Sequence, residues 1–285
     1  MKILITGIGG YLGSQLANAL ITEHEISGTI RYSSKLARVN NKEKMTFIDV
    51  EKTDWIEQVK KLKPDIVINT ATSYGRNSEL LSSMIDANIV FPQKILECME
   101  VDTVFINCGT SLPPSVSLYS LTKNQFVELA KKHCRSNRVK FVNLRLEHFF
   151  GAGDDITKFT SYIIHQCLAN RPLELTEGTQ MRDFIYIEDV ISAFDFILAS
   201  LHQLDLFEEI DIGSGLAIKV RDFVELVASI TSSTSKIKFG AIPIRDNELM
   251  YSCANILKLK ELGWAVKYSL DEAIHNIVET EQFMK

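Results

Sequence analysis

Residues 2–6, Lys-Ile-Leu-Ile-Thr, run without a break into Gly7-Ile8-Gly9-Gly10-Tyr11-Leu12-Gly13, and a helical pattern begins at Tyr11. A short apolar strand, a glycine-rich turn and a helix in that order restrict the fold severely. Glycines at 7, 10 and 13 permit a tight turn. They also let backbone amides and the helix N-terminus come close to a pyrophosphate. A glycine-rich turn with no ligand is the plain alternative, but the position directly after an N-terminal strand favours a dinucleotide site. Gly7, Gly10, Tyr11, Leu12 and Gly13 are therefore the candidate pyrophosphate contacts.

The same alternation continues downstream. Strand-like runs fall at 2–6, 26–30, 46–48, 65–69, 104–107 and 140–144, with helical spacing at 11–20, 54–62, 80–100 and 120–136. Several of the runs are apolar at successive positions, as expected when both faces of a parallel sheet are covered. Six βα repeats predict an α/β fold with a doubly wound parallel Rossmann sheet. After about Gly151 the rhythm changes. Helical segments near 158–170, 188–201, 220–229, 255–262 and 271–283 are interleaved with isolated apolar runs. The expected division is a nucleotide-binding domain over 1–150 and a smaller substrate-binding lobe over 151–285. With no Gly/Ser linker between them, the lobe is expected to be integral, with some segments returning to the sheet.

Composition narrows the function classes. A chain of 285 residues, 46% apolar and 24% charged, is neither disordered nor fibrous. A net charge of −5 gives no overall attraction to nucleic acid or anionic lipid. Five scattered cysteines without a C-x-x-C pair suit a reducing compartment and form no zinc site, so no metal is expected. No run approaches the roughly 18 apolar residues of a membrane span, and the first apolar run is too short for a signal-peptide core. A cytoplasmic protein with a small-molecule substrate is the expectation.

At the end of the second strand an NAD-binding chain would usually carry an acid for the ribose 2′-hydroxyl. Here stand Arg31-Tyr32-Ser33-Ser34-Lys35, and a guanidinium beside hydroxyls such as that of Ser33 suits a 2′-phosphate. NADPH is favoured over a merely solvated basic turn. Asp49 and Val50, after the third strand, are candidates to contact the adenine, or Asp49 is a loop carboxylate. Of the eight tyrosines, only Tyr119 has a lysine four residues on, at Lys123. That spacing puts both on one helix face. The lysine charge is expected to lower the tyrosine pKa, so that the phenol exchanges a proton near neutral pH. Thr110 and Ser111 precede the pair and could hydrogen-bond a substrate carbonyl as negative charge develops on it. Thr110 is the favoured hydroxyl.

Together these residues resemble the extended short-chain dehydrogenase/reductases that act on nucleotide sugars, over essentially the whole chain. Leu144-Arg145-Leu146-Glu147-His148-Phe149-Phe150-Gly151 looks like that family's segment after the sixth strand. Arg182-Asp183-Phe184-Ile185-Tyr186-Ile187-Glu188-Asp189 looks like its R-D-F-x-x-x-x-D motif. Arg245-Asp246-Asn247-Glu248 and Leu262-Gly263-Trp264 match its C-terminal signature. The resemblance implies that Arg182 and Arg245 hold a nucleotide diphosphate, a role that suits guanidinium forks. His148 stands where many relatives have asparagine. It is either close to the sugar diphosphate or simply a packed histidine. Relatives often dimerise through two helices per subunit, for which 80–100 and 120–136 are the candidates; a homodimer is thus an option.

Within the family, the runs from Phe105 to Pro114, Leu146 to Gly151 and Glu248 to Ala254 look most like the enzymes that make CDP-paratose for lipopolysaccharide O-antigen. The implied reaction is NADPH-dependent reduction of the 4-keto group of CDP-4-keto-3,6-dideoxyglucose. Tyr119 would supply the proton and Lys123 would also hold the nicotinamide ribose. The alternatives are the opposite configuration (CDP-abequose), a 4-epimerase with tightly held NAD, and, from another class, a non-catalytic NADP-binding regulator. Arg31 argues against the epimerase, and Tyr119 with Lys123 against the regulator.

Overall fold

The computed structural model describes residues 1–76 and 78–283. The chain divides into two units, Met1–Arg145 with Leu201–Ile210, and Leu146–Ser200 with the residues from Asp211 onward. The first unit begins with β1 (Lys2–Thr6), α1 (Tyr11–Leu20), β2 (Glu25–Ile30), β3 (Thr46–Asp49), α2 (Trp55–Leu62) and β4 (Ile66–Asn69). It continues through α3 (Leu81–Ile85), a π-helical turn (Asp86–Val90), α4 (Phe91–Leu96), β5 (Val104–Cys108), α5 (Leu118–Asn137) and β6 (Lys140–Leu146). These six strands lie side by side in the order β6-β5-β4-β1-β2-β3, each neighbouring pair parallel. The order reverses between β1 and β4, as in a doubly wound Rossmann sheet.

Both faces of the central strands are buried. All four residues of β4 are inside, as are the last four of β1 and of β5. On one face Phe105, Phe126 and Phe141 pack with centroid separations of 5.7–6.0 Å, among Leu4, Val67, Ile95, Leu96 and Ala130. Continuous apolar runs, rather than alternating ones, are what such two-sided burial requires.

Three features differ from the expected pattern. The β2–β3 connection contains only a 3₁₀ turn at Lys42–Lys44, so the βα repeat is not regular there. The helix expected over 80–100 is interrupted by the π turn and ends at Leu96. Pro92 has no N–H to bond the carbonyl four residues back, at Asn88, which loosens the ladder at that point. Finally, the sheet gains a seventh strand from far downstream.

The second unit contains β7 (His148–Phe150), α6 (Phe159–Leu168), β8 (Leu173–Leu175), β9 (Met181–Tyr186) and α7 (Ile187–Ala199). Next comes β10 (Phe207–Ile212), which begins in the first unit's return segment and joins the large sheet beside β6. Lys140 donates to the carbonyls of Leu201 and Leu204 at 2.6 and 2.7 Å, which anchors that return. The chain closes with β11 (Ala217–Lys219), α8 (Val220–Ile230), β12 (Ile237–Phe239), α9 (Leu257–Glu261) and α10 (Leu270–Phe283). β11-β9-β7 form a three-stranded sheet and β12-β8 a two-stranded one. Phe184 stacks on Phe223 at 4.4 Å, and Phe150 meets Phe223 edge-on at 5.9 Å. No helix among the described residues is long and apolar enough to cross a membrane.

A line of amides crosses the first sheet. Thr6 donates to Asn69 (2.7 Å), Asn69 to Asn107 (2.9 Å), Asn107 to Asn143 (2.8 Å) and Asn143 to Glu209 (3.1 Å). Asn69, Asn107 and Asn143 are register partners on adjacent strands. Replacing Asn107 by alanine leaves an Asn69 donor and an Asn143 acceptor buried without a partner. An unsatisfied buried group costs about 1–3 kcal/mol, so Asn107→Ala is expected to lose at least that much unfolding free energy in urea. An unchanged midpoint would show that the ladder contributes nothing.

Candidate active site

The glycine turn has a geometry that no other residue could adopt without strain. Gly7 has φ +65°, its carbonyl accepts from Gly10 N–H at 2.8 Å, and its own N–H donates to Thr29 at 3.0 Å. A Cβ at Gly13 would stand 2.6 Å from the Gly7 carbonyl oxygen and 2.8 Å from the Thr70 hydroxyl. α1 therefore packs directly against the turn, with Gly10 as its N-cap. No side chain caps that end and its first turn holds no acid. A dinucleotide's pyrophosphate fits such a cradle of uncapped amides.

At the neighbouring strand ends, Arg31 follows β2 and is exposed, and its N–H donates to Ser34 at 2.9 Å. Asp49 ends β3 as the register partner of Ile30, and its carboxylate accepts from the Glu51 N–H at 3.0 Å. Val50 N–H donates to the Ile30 carbonyl at 2.9 Å. Arg31, Ser33, Asp49 and Val50 thus gather at one edge. Asp49 is already committed to a turn.

α5 starts with a capping box: Ser117 accepts from Ser120 N–H, and Ser120 accepts from Ser117 N–H, both at 3.1 Å. This cap fixes the first turn, where Tyr119 is half-buried, and Lys123 one turn on is 3% exposed. Thr110 is buried after β5, with its hydroxyl close enough to Tyr119 to favour the ionised phenol; Ser111 is half-buried. The expected lowering of the Tyr119 pKa by Lys123 is not what acts here. Burial pushes the phenol well above its usual value and the Tyr74 phenol adds to this, opposed by the Thr110 hydroxyl and Arg76. Burial also pulls Lys123 down to about 8, with the Cys108 thiol opposing, while burial pushes Cys108 up to about 12.

Four neighbours were not legible in the local motif. Tyr74 stacks on Tyr119 with centroids 4.9 Å apart, and Arg76 lies 5.0 Å over the Tyr74 ring. Asn88, in the π turn, donates to the Ser73 carbonyl (2.8 Å) and to Thr122 (3.0 Å), and accepts from Ser73 N–H at 2.8 Å. The fourth is Cys108. The one available signal was Pro92, four residues after a lone asparagine in a helix.

In the second unit, Arg182 is 6% exposed, not a surface arginine. It donates to Glu248 at 2.5 Å and to the Met181 carbonyl at 2.9 Å. Glu248 N–H bonds the carbonyl of exposed Arg245 at 3.0 Å, so one turn links the two candidate arginines. His148 on β7 pairs with Phe184 on β9, and its Nδ1 is 3.7 Å from Glu147, whose carboxylate accepts from Ser252 at 2.7 Å. The motif's two aspartates serve the fold. Asp183 accepts from the N–H groups of Ser214, Gly215 and Ala254, and Asp189 from those of Lys267 and Tyr268.

The depressed Lys123 has a measurable consequence. Unfolded, the amine keeps its proton to its ordinary value; folded, it loses it near 8. Between those limits the unfolded state binds more protons, so the cost of burying the charge is full below pH 8 and relieved above it. Lys123→Met is expected to be more stable than the parent at pH 7, by up to about 3 kcal/mol. The gap narrows as pH rises through 8, read as Tm against pH; a Met variant that melts lower at pH 7 would contradict this burial cost.

The comparisons agree with the geometry. Two enzymes named CDP-abequose synthase are similar to the chain. The one from Salmonella muenchen is 31% identical, covering 99% of this chain and 98% of its own. The one from Salmonella typhimurium is 30% identical, covering 97% of each. Among solved structures, the UDP-glucose 4-epimerase of Thermotoga maritima superposes with TM-score 0.85 at 21% identity over the full length of both chains. The UDP-glucuronic acid 4-epimerase of Bacillus cereus does so with TM-score 0.85 at 24% identity, also over both full lengths. Residues 3–213 match the NAD dependent epimerase/dehydratase family, and with that match the chain belongs to this family, the extended short-chain dehydrogenase/reductases that its motifs resemble.

Proposed function

We propose that this protein is an NADPH-dependent 4-ketoreductase acting on CDP-4-keto-3,6-dideoxyglucose. The observation that carries the reading is the Tyr119–Thr110 hydroxyl pair beside buried Lys123, set in a unit that also contains the uncapped glycine cradle. The cradle residues Gly7, Gly10, Tyr11, Leu12 and Gly13 would hold the cofactor's pyrophosphate. Arg31 and Ser33 would hold the 2′-phosphate, with Asp49 and Val50 beside the adenine. When bound, NADPH supplies the hydride. Tyr119 then has one task, to give its proton to the oxygen at carbon 4. Burial keeps the phenol protonated at neutral pH, which is the state reduction needs. Thr110, rather than Ser111, would hydrogen-bond the ketone and the phenol together. Lys123 would hold the nicotinamide ribose. Arg182 and Arg245 would take the diphosphate, with His148 near the sugar.

The stereochemical outcome has two supports that differ. The local runs around Phe105, Leu146 and Glu248 favour CDP-paratose. The near full-length similarity to the two Salmonella enzymes favours CDP-abequose, and it carries more weight because it spans 97–99% of the chain. Both products come from the same ketone and fit the same O-antigen role.

Cofactor preference follows from Arg31. Loss of a charge-assisted contact to phosphate costs roughly 1.5–3 kcal/mol, so Arg31→Ala is expected to raise the KM for NADPH about tenfold or more. The KM for NADH should barely move, and equal effects on both cofactors would sink the assignment.

The proton donor is tested by Tyr119→Phe, which keeps the ring and removes only the transferable proton. Turnover of the ketone is expected to fall about 10²- to 10⁴-fold with NADPH binding intact by fluorescence titration. Near-normal turnover would mean that the proton comes from another group.

A further inference from the structure

Between β4 and α3 the chain passes back over the start of α5. Tyr74 in this crossing is 40% exposed, so burial of its ring does not explain its position. Its ring lies on that of Tyr119, centroids 4.9 Å apart and planes inclined by 28°, and the Arg76 guanidinium lies 5.0 Å from its centroid. Two flat groups, the Tyr74 ring and the Arg76 guanidinium, thus lie next to the candidate proton donor.

The layer is anchored independently of the rings. Ser73, one residue before Tyr74, is gripped through both its N–H and its carbonyl by the Asn88 amide. The same amide reaches Thr122, between Tyr119 and Lys123 on α5, and Asn88 is 1% exposed. On the other side, Gly75 has φ +67°, and a Cβ there would stand 2.6 Å from the Met84 sulfur. The chain therefore turns back in a conformation suited to glycine. A closed circuit results, from Tyr119 along α5 to Thr122, across to Asn88, to Ser73, and through Tyr74 back onto Tyr119.

A tyrosine on the first turn of a helix keeps a broad choice of ring rotation about χ2. Rotation about χ1 swings the phenol oxygen itself and χ2 sets the plane in which the O–H points, and misplacement by about 1 Å is enough to cost 10²-fold in rate. Offset stacking removes that freedom without occupying the hydroxyl. We propose that Tyr74 is a positioning residue for Tyr119, its ring held under the Arg76 guanidinium so that the stacked phenol faces the oxygen it protonates. This rests on Tyr119 being the proton donor. Arg76 favours the ionised phenol while the Tyr74 phenol opposes it more, so the part the layer plays is to orient the donor.

The test compares Tyr74→Phe, Tyr74→Leu and Tyr74→Ala with the parent, using CDP-4-keto-3,6-dideoxyglucose and NADPH. Phenylalanine keeps the flat ring and is expected to keep kcat within about twofold, whereas leucine and alanine lower kcat about 10- to 100-fold. NADPH affinity and Tm should stay at the parent value, since the loop is anchored through Asn88. Because the two rings act as a unit, adding Tyr74→Ala to Tyr119→Phe should cost little more than Tyr119→Phe alone. An alanine variant with parental kcat overturns the proposal, as does a phenylalanine variant as damaged as alanine, or losses that multiply in the double variant. Normal turnover in Tyr119→Phe would instead overturn the donor reading beneath it. The two failures are thereby told apart.

Discussion

Asn69, Asn107 and Asn143 sit 1%, 0% and 3% exposed at one level across three adjacent strands, and each amide spends its donor on the next. Buried amides are tolerated only when bonded, and a chain of them has one arrangement that satisfies every member. This fixes the relative height of β1, β4, β5, β6 and β10 at the edge from which the site's loops leave. Immediately beyond Asn69, Thr70 bonds the Thr6 carbonyl at 2.6 Å and stands where a Cβ on Gly13 would collide. Beyond Asn107, Gly109 N–H bonds the Leu144 carbonyl at 2.7 Å, and a Cβ on Gly109 would lie 2.6 Å from the Asn143 oxygen. The turn that delivers Thr110 to Tyr119 is therefore set by the ladder, as is the closeness of α1 to the glycine cradle.

The electrostatics around Tyr119 follow from the same burial. A lysine four residues along reads, in sequence, as a charge that makes the phenol more acidic. In the fold, both groups lie in a poorly solvated place that disfavours either charge, so the phenol is pushed up and the amine down. The raised pKa leaves the phenol neutral, and its proton then passes only to a more basic oxygen, such as the alkoxide a ketone becomes on reduction. The ionised phenol becomes favourable only as negative charge is passed on within the site. That asymmetry suits ketone reduction better than a resting tyrosinate would.

What could be read from the chain was what is local. The strand-turn-helix at 2–20 was legible because continuous apolar residues, spaced glycines and an amphipathic period all lie within twenty positions. Tyr119 and Lys123 were legible for the same reason. β10 was not: Phe207-Glu208-Glu209-Ile210-Asp211-Ile212 carries three acids and reads as surface, yet Glu209 is used by Asn143 and by Lys131. The π turn depended on a side chain bonding a loop fifteen residues back, which periodicity does not register. By resemblance Arg182 reads as a phosphate-holding fork, and its pairing with Glu248, 66 positions away, cannot be seen from either neighbourhood. The Tyr74 layer lies 45 residues from Tyr119 in the chain and had no signal at all.

In the proposed reaction, hydride and proton are both delivered to the ketone once, with no return. The direct measurement mixes the purified protein with CDP-4-keto-3,6-dideoxyglucose and NADPH, follows the loss of NADPH absorbance, and reads the configuration at carbon 4 of the product by NMR. One NADPH oxidised per ketone consumed and a single reduced dideoxysugar product are expected. Turnover of a nucleotide sugar with no net NADPH oxidation, or no turnover of the ketone, would contradict that reaction.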